Sequence, residues 1–432
     1  MTTPSPRRLT RRIGGILALA VTAAALTGCA ASGSAQHDAT PARSSAAGCV
    51  ADPTAVVDAP SKLPTGPLPA KLVSALDAAA IAGKAQASTP GAIVAVQTPK
   101  GRWMKAYGVA DPDTGRAMTL AETQRIGSVT KTFTGTLVLQ LAGEGKLSLD
   151  DHIDKYVKGV PNGDEITLRE LITMTSGLAS YTLNTDLQNA WFANPQAEWS
   201  PEQLLSASFA LKPVFEPGAK FNYSNTNFVL LGEVIQKVTG EPYVSVLQDG
   251  ILTPLGLTHT AMPAGNAPLP DPHADGFTLQ GTPDGDFTPV NSTDWNPTFA
   301  WTAGQMTSTI SDMLLWGRTL ATGHGVLDRK AQLDRLASIP KAGGYGDAFG
   351  CIDGWLGHDG DLPGYNSSVF YDTASDTTVI VFVNSDIMSG TCKESKTLPD
   401  NPSSGRCMAP STRIFVALSD ALGHHFTANP AN

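Results

Sequence analysis

Two blocks of strand-forming sequence stand at opposite ends of this chain, separated by a long helical stretch. Gly91 to Thr98 (GAIVAVQT) is β-branched and apolar, and Gly101 to Val109 follows as a second strand, so the pair predicts a hairpin. Strand signals return at Val369 to Tyr371 and at Thr377 to Asn384. From about residue 145 to 300 the pattern is helical patches broken by Pro, Gly and Asn, including Leu168 to Met174, Pro201 to Leu211 and Asn227 to Val238. Helical spacing also marks 70–87, 127–143, 304–320 and 411–422. This order predicts an α/β (α+β) fold, with an antiparallel β-sheet flanked by N- and C-terminal helices and an inserted, mainly helical region. The sheet domain would comprise 68–135 and 300–425, the insert 136–299, and 426–432 a tail. With 432 residues, 41% apolar and 16% charged, the chain has the composition of a globular protein with a sizeable core.

Residues 1–28 read as a signal peptide. Arg7 to Arg12 form a positive region and Ile13 to Leu26 an apolar one, which is short of the roughly 20 residues of a membrane-spanning helix. Leu26-Thr27-Gly28-Cys29 resembles the bacterial lipobox, which implies that Cys29 becomes the first mature residue and carries a lipid. The alternative is a plain secretory signal and a secreted protein. Arg11-Arg12 after Thr10 hints at twin-arginine export. Residues 29–67, rich in Ala, Ser, Pro and Gly, read as a flexible tether. The expectation is therefore an exported protein held to the outer face of the membrane by a lipid anchor alone, as a monomer.

Loss of the leader removes four arginines and leaves 26 basic against 39 acidic residues, a net charge of −13. Such a charge disfavours a nucleic-acid partner. Export places Cys49, Cys351, Cys392 and Cys407 in an oxidising compartment, where disulfides are expected. Three pairings are open. Cys392 and Cys407 close a short Pro/Ser/Gly-rich loop and form a natural local pair, while Cys351 joined to one of them is a close alternative. No cysteine is spaced for zinc and no His-Glu-x-x-His occurs, so no metal or other cofactor is implied.

Ser-x-x-Lys occurs twice. On a helix, positions i and i+3 share a face, so a serine hydroxyl and a lysine amine can meet. Ser128-Val129-Thr130-Lys131 opens an apolar helix behind Gly127, whereas Ser338-Ile339-Pro340-Lys341 contains a proline and runs into Ala-Gly-Gly. The first copy is the candidate and the second a decoy. A serine nucleophile needs a base in reach, and lysine serves only when its amine is kept neutral.

Three segments together resemble the serine β-lactamase and DD-peptidase family, in its class C-like, penicillin-binding branch. Gly127-Ser-Val-Thr-Lys-Thr-Phe133 is similar to the family's nucleophile segment. Phe221-Asn-Tyr-Ser-Asn-Thr-Asn-Phe228 holds the only Tyr-x-Asn, and Gly357-His-Asp-Gly-Asp-Leu-Pro-Gly-Tyr365 the only His-x-Gly. Thr175-Ser-Gly-Leu178 and Ala303-Gly304 agree as landmarks, and the resemblance covers about 68–425, closest in pattern to secreted D-alanyl-D-alanine carboxypeptidases and related esterases. It implies a β-lactamase/transpeptidase-like fold and an acyl-enzyme formed on Ser128. Lys131 and Tyr223 would share the base role, and Asn225 would bind the acyl side-chain amide. His358 would assist the proton network around Tyr223, Gly360 would admit the substrate closely, and the N–H groups of Ser128 and Asp361 would hold the oxyanion.

No Gly-x-Ser-x-Gly, Gly-x-Gly-x-x-Gly or Walker A pattern competes with this reading. One departure stands out. Members that cleave terminal D-Ala commonly carry hydroxyl residues just after the third-motif His and an Arg nearby, but this chain has Asp359 and Asp361, with no Lys or Arg between Lys341 and His358. Two carboxylates would repel a substrate carboxylate by about 1 kcal/mol each, or more where solvent is poor. Positions two apart share a strand face, so both should point the same way. The functions expected are therefore a D-alanyl-D-alanine carboxypeptidase-like or esterase activity on a small-molecule or peptide substrate, peptidoglycan peptide included. A β-lactamase and a catalytically weak peptidoglycan-binding lipoprotein are the alternatives.

Overall fold

A computed structural model describes residues 48–265 and 267–428. The signal peptide, Cys29 and residues 30–47 of the expected tether lie outside the described residues, and the rest of that stretch corrects the expectation of a flexible tether: Pro53–Val57 is a helix with Val56 and Val57 buried, and Cys49 is bonded to Cys351, so the folded body begins well before residue 68. One antiparallel sheet unites the two ends of the chain. Its strands are β1 (Gly91–Thr98), β2 (Gly101–Asp111), β3 (Arg116–Ala117), β4 (Gly344–Tyr345), β5 (Gly350–Ile352), β6 (Trp355–Leu362), β7 (Tyr365–Asp372) and β8 (Thr377–Val383). They lie in the order β3-β2-β1-β8-β7-β6-β5-β4. β1 and β2 form the expected hairpin, with Val96 opposite Trp103, and β8 lies along the other edge of β1, with Val94 opposite Val381.

Alternation divides the strand residues between two cores. Ala92, Val94 and Val96, with Val379, Val381 and Val383, face the helices α1 (Ala70–Ala85) and α5 (Pro410–Leu422), where Leu76, Ile414, Phe415 and Leu418 meet them. Ile93, Ala95, Ile380 and Phe382 face the opposite core, built with α2 (Thr130–Gly143), α3 (Asn225–Thr239) and α4 (Ile310–Thr322). Covered on both faces, β1 and β8 are buried at every position. This is why their sequences run apolar throughout instead of alternating with polar residues. Each such Val or Ile contributes roughly 1.5–3 kcal/mol relative to exposure.

α2 runs through the middle of the second core and is buried on all sides. Its polar residues are satisfied by nearby backbone or by one another. Thr134 Oγ1 donates to Thr302 O at 2.8 Å, Thr136 Oγ1 donates to Thr132 O at 2.7 Å, and the Trp316 indole N–H donates to Thr132 Oγ1 at 2.8 Å. Phe133 stacks on Trp316 with ring centroids 3.8 Å apart. The expected helix over 127–143 begins as a 3-10 turn, Gly127–Val129, that leads into α2.

Two expectations needed revision. The helix Thr185–Ala193 was not read from the sequence, although Asn184 caps it by accepting from Leu187 N at 3.0 Å and Leu187 and Trp191 sit at i and i+4 on its buried side. The signal was present, but six polar or small residues among nine diluted it. The disulfides are Cys49–Cys351 and Cys392–Cys407. The local pair is as expected, and the alternative of Cys351 with Cys392 or Cys407 is corrected. Cys351 lies on β5, where the segment entering from Cys49 reaches it across 302 positions of sequence, a proximity no spacing argument could supply.

Candidate active site

Ser128 is the one residue from Glu122 to Leu139 that is not buried. The turn that presents it begins at Gly127, whose φ of +52° lies in the left-handed region favoured by glycine. Lys131, one turn on, is fully buried, and its Nζ lies 2.9 Å from Ser128 Oγ and 2.6 Å from Ala303 O. The rings of Tyr223 and Phe228 flank the amine at 5.0 and 5.8 Å. Among the described residues no carboxylate pairs with it directly. Burial therefore pushes the Lys131 pKa well below the usual lysine range, with the charge of Asp359 opposing. A neutral amine donates to Ala303 O and still offers a lone pair to the serine hydroxyl.

Tyr223 and Asn225 are set by the start of α3. Ser180 Oγ accepts from Asn225 N at 3.2 Å, Thr226 Oγ1 accepts from Tyr181 N at 3.0 Å, and Ser176 Oγ donates to Asn227 Oδ1 at 2.8 Å. The Ser176-Gly177-Leu178 landmark thus clamps the second motif. The Tyr223 hydroxyl has Ser128 as its hydrogen-bonding neighbour; the ring is 36% exposed, but desolvation within the cleft, reinforced by Asp359, raises the phenol pKa above its usual range. Tyr223 is therefore a neutral phenol at rest.

β6 brings the third motif alongside. A Cβ at position 360 would lie 1.9 Å from the carbonyl oxygen of Ile126, so only glycine lets the strand approach the nucleophile turn. A Cβ at Gly127 would likewise lie 2.5 Å from Asp361 N, which places that amide beside the nucleophile turn. His358 and Gly360 are buried, while Asp359 and Asp361 are exposed on the opposite side of the strand, facing the same way as the alternation requires.

His358 does not hydrogen-bond Tyr223; their ring centroids are 6.1 Å apart. Its Nδ1 lies against the carbonyl oxygen of Asp359 and must carry the proton, and Nε2 then accepts from the Tyr345 hydroxyl at 3.1 Å. Burial lowers the His358 pKa, against the pull of Asp359, and favours the neutral ring. Tyr345, on the edge strand β4, is the site residue that the sequence reading missed. It stands 13 positions before its partner, outside any motif.

A cavity of about 170 Å³ opens beside Ser128, lined by Tyr181, Trp191, Phe192, Phe299, Asn225 and Asp361 among others. Trp191 stacks on Phe299 at 3.8 Å, and its indole N–H has no partner among the described residues. Asp361 accepts from Asn366 Nδ2 at 3.1 Å. Although Asp361 is exposed at the mouth of the cleft, desolvation by the surrounding walls and the nearby charges of Asp386 and Asp359 raise its pKa above the carboxylate range. The second Ser-x-x-Lys forms no such pair: Ser338 ends the helix Arg329–Ala337 and donates to Arg335 O at 2.7 Å. No group of three or more His, Cys, Asp or Glu able to hold a metal occurs among the described residues.

A buried lysine against a half-buried serine, a tyrosine over both and a strand amide alongside define a serine hydrolase of the sheet-and-helical-insert type. The Beta-lactamase family matches residues 73–392, and the chain belongs to that family. Among solved structures it is similar to a D-stereospecific amidohydrolase from Streptomyces sp., at 31% identity and a TM-score of 0.65, covering 72% of this chain and 94% of that one. The fold is also shared with the D-amino acid amidase of Ochrobactrum anthropi SV3, at 24% identity and a TM-score of 0.68, covering 82% and 99%. Among curated proteins, the putative penicillin-binding protein PbpX of Bacillus subtilis (strain 168) is 26% identical over 60% of this chain and 61% of its own length. Protein flp of Staphylococcus aureus (strain MRSA252) is 34% identical over 52% and 44%. The chain thus spans between two fifths and two thirds of the curated relatives it matches.

Proposed function

We propose that the protein is an exported serine amidohydrolase or esterase that works through an acyl-enzyme on Ser128. The observation that carries this reading is the 2.9 Å approach of a fully buried, unpaired lysine amine to the serine oxygen. Lys131 takes the Ser128 proton as Oγ bonds to the substrate carbonyl carbon. The N–H groups of Ser128 and Asp361 hold the oxyanion. On collapse the carbon–leaving-group bond breaks, and Tyr223, neutral at rest, gives its proton to the leaving atom and recovers one from Lys131. Water then repeats the sequence on the ester and releases Ser128. The base role falls to Lys131 and the acid role to Tyr223, a division that the opposed pKa shifts of the two groups favour.

Asn225 and the aromatic cavity would receive the acyl portion. The exposed carboxylate of Asp359, with no Lys or Arg paired to it among the described residues, weighs against substrates ending in a free carboxylate, and so against a strict D-alanyl-D-alanine carboxypeptidase or a β-lactamase. The likeness to a D-stereospecific amidohydrolase supports amides and esters of D-amino acids. The lipobox at Cys29 supports an envelope location, and the monomer expected from the sequence is part of the same proposal; light scattering reads it directly. Incubation with a fluorophosphonate or a p-nitrophenyl ester, followed by intact mass, should show one adduct that Ser128→Ala abolishes. An unlabelled wild-type protein would sink the reading.

A further inference from the structure

The general acid of an acyl transfer must touch the leaving group, so the surroundings of Tyr223 define where that group lies. Three rings form one wall there: Phe221 and Tyr345 have centroids 5.9 Å apart, and Tyr223 meets Tyr345 edge-on at 6.1 Å. Phe221 is 56% exposed and Tyr223 36%, an open aromatic surface at the mouth of the cleft. Asp359 follows His358, whose ring centroid lies 5.6 Å from that of Tyr345 and 6.1 Å from that of Tyr223, and its own side chain is 65% exposed. Among the described residues its carboxylate accepts no hydrogen bond and pairs with no Lys or Arg; its one ionisable contact is His358 Nδ1 at 3.6 Å, on a ring that burial keeps neutral. Its charge is felt at Tyr223 and Tyr345 alike. Lys220, next to Phe221 in sequence, makes no ion pair with it.

Aromatic faces with an unpaired carboxylate attract an ammonium group through ring quadrupole and charge together, and they repel an anion. Resting on the acyl-enzyme reading, we propose that the leaving-group side of this cleft, formed by Phe221, Tyr223, Tyr345 and Asp359, takes a cationic amine. Its substrates would be amides whose departing portion carries a free ammonium group a few bonds from the scissile nitrogen, the opposite preference to that of an enzyme releasing a terminal amino acid carboxylate. Asp361, about 6.6 Å further along the strand, serves the acyl side of the scissile bond and not this one.

The test uses three D-phenylalanyl substrates that share the acyl group and differ in the leaving amine: ethylenediamine (cationic), propylamine (neutral) and glycine (anionic). At low salt, kcat/KM should fall in that order, with the cationic substrate ahead of the anionic one by roughly ten- to hundredfold, and salt should compress the ratio. Asp359→Asn should bring the ratio within each preparation towards one, and Tyr345→Leu, whatever it does to the absolute rates, should lower the ratio of cationic to neutral substrate within its own preparation. Equal or faster cleavage of the glycine substrate, or an unchanged ratio in Asp359→Asn, would overturn the proposal. Calorimetric titration of wild-type protein with N-acetylethylenediamine and N-acetylglycine reads the same preference without turnover. An inert Ser128 would then refute the acyl-enzyme reading, while the binding ratio alone decides this one.

Discussion

Ser128 and Lys131 illustrate how little a motif means until its surroundings are fixed. Both Ser-x-x-Lys copies satisfy the spacing, yet only one amine is buried against a serine with nothing but a carbonyl to hold it. Two predictions belong to this scale. The enzyme needs Lys131 neutral, so kcat/KM should rise with pH through the Lys131 pKa and reach its plateau well below the ordinary lysine value of 10.5. Asp359 holds that pKa up, so Asp359→Asn should move the acid limb to lower pH; a pH–rate profile with an unmoved limb would contradict the electrostatic account. Lys131→Arg keeps the charge but cannot release its proton, and should lower acylation by about 10²–10⁴-fold, read by burst kinetics. At position 360 the argument is steric. Gly360→Ala forces its methyl into the Ile126 carbonyl and should displace the strand amide, costing roughly 1–3 kcal/mol of stability and at least about a hundredfold in rate.

At the scale of elements, the site is a junction of three pieces: the turn before α2, the start of α3 and the free edge of β6. Each is held by its own local bonds, the first by Gly127, the second by the 176–181 loop, the third by pairing with β7, where Gly360 lies opposite Ser367. The sheet edge beyond β6 is the short β5 and β4, and Tyr345 rides on β4. Cys49–Cys351 fastens this edge. Replacing both cysteines by serine should lower the unfolding free energy by about 2–4 kcal/mol in chemical denaturation. It should also raise hydrogen exchange in 344–352 ahead of the central strands, because these two strands are short and lie at the edge of the sheet. Uniform exchange across the sheet would show that the bridge does not act on this edge.

For the molecule as a whole, the active-site cleft sits where acidic groups gather without cations to balance them. Asp386, buried behind the cleft, has its pKa raised to about 6 by burial, despite bonds from Gln280 and Thr278. A carboxyl whose folded pKa exceeds its unfolded one binds more protons in the folded state. It therefore costs stability above the folded pKa and ceases to do so below the unfolded value near 3.8. The difference in unfolding free energy between Asp386→Asn and wild type should thus shift in favour of the variant as pH rises from about 4 to 7, by of the order of 1–3 kcal/mol. A difference independent of pH would place the Asp386 pKa at its ordinary value.

Much of this architecture can be read from residue order. The runs 91–98 and 377–383 are so apolar and β-branched that they read as buried strands, and helical spacing marked Leu168–Ile172, Pro201–Phe209 and Asn225–Thr239 between them within a few residues. Ser128 and Lys131 could be singled out because helix geometry constrains their spacing, whereas Tyr223 and Gly360 were legible only through the resemblance of their segments to the family. Other features depended on approach through space. Tyr345 meets Nε2 of His358 only because a two-residue edge strand carries it there, and Cys49 finds Cys351 only because the sheet closes. The proton states follow the same division: sequence names the ionisable groups, but whether Lys131 is neutral and Tyr223 protonated depends on how much protein surrounds them. Local sequence dictates local conformation and which side chains prefer burial; desolvation and long-range contact are properties of the packed whole, and in this protein they decide which groups can carry a proton.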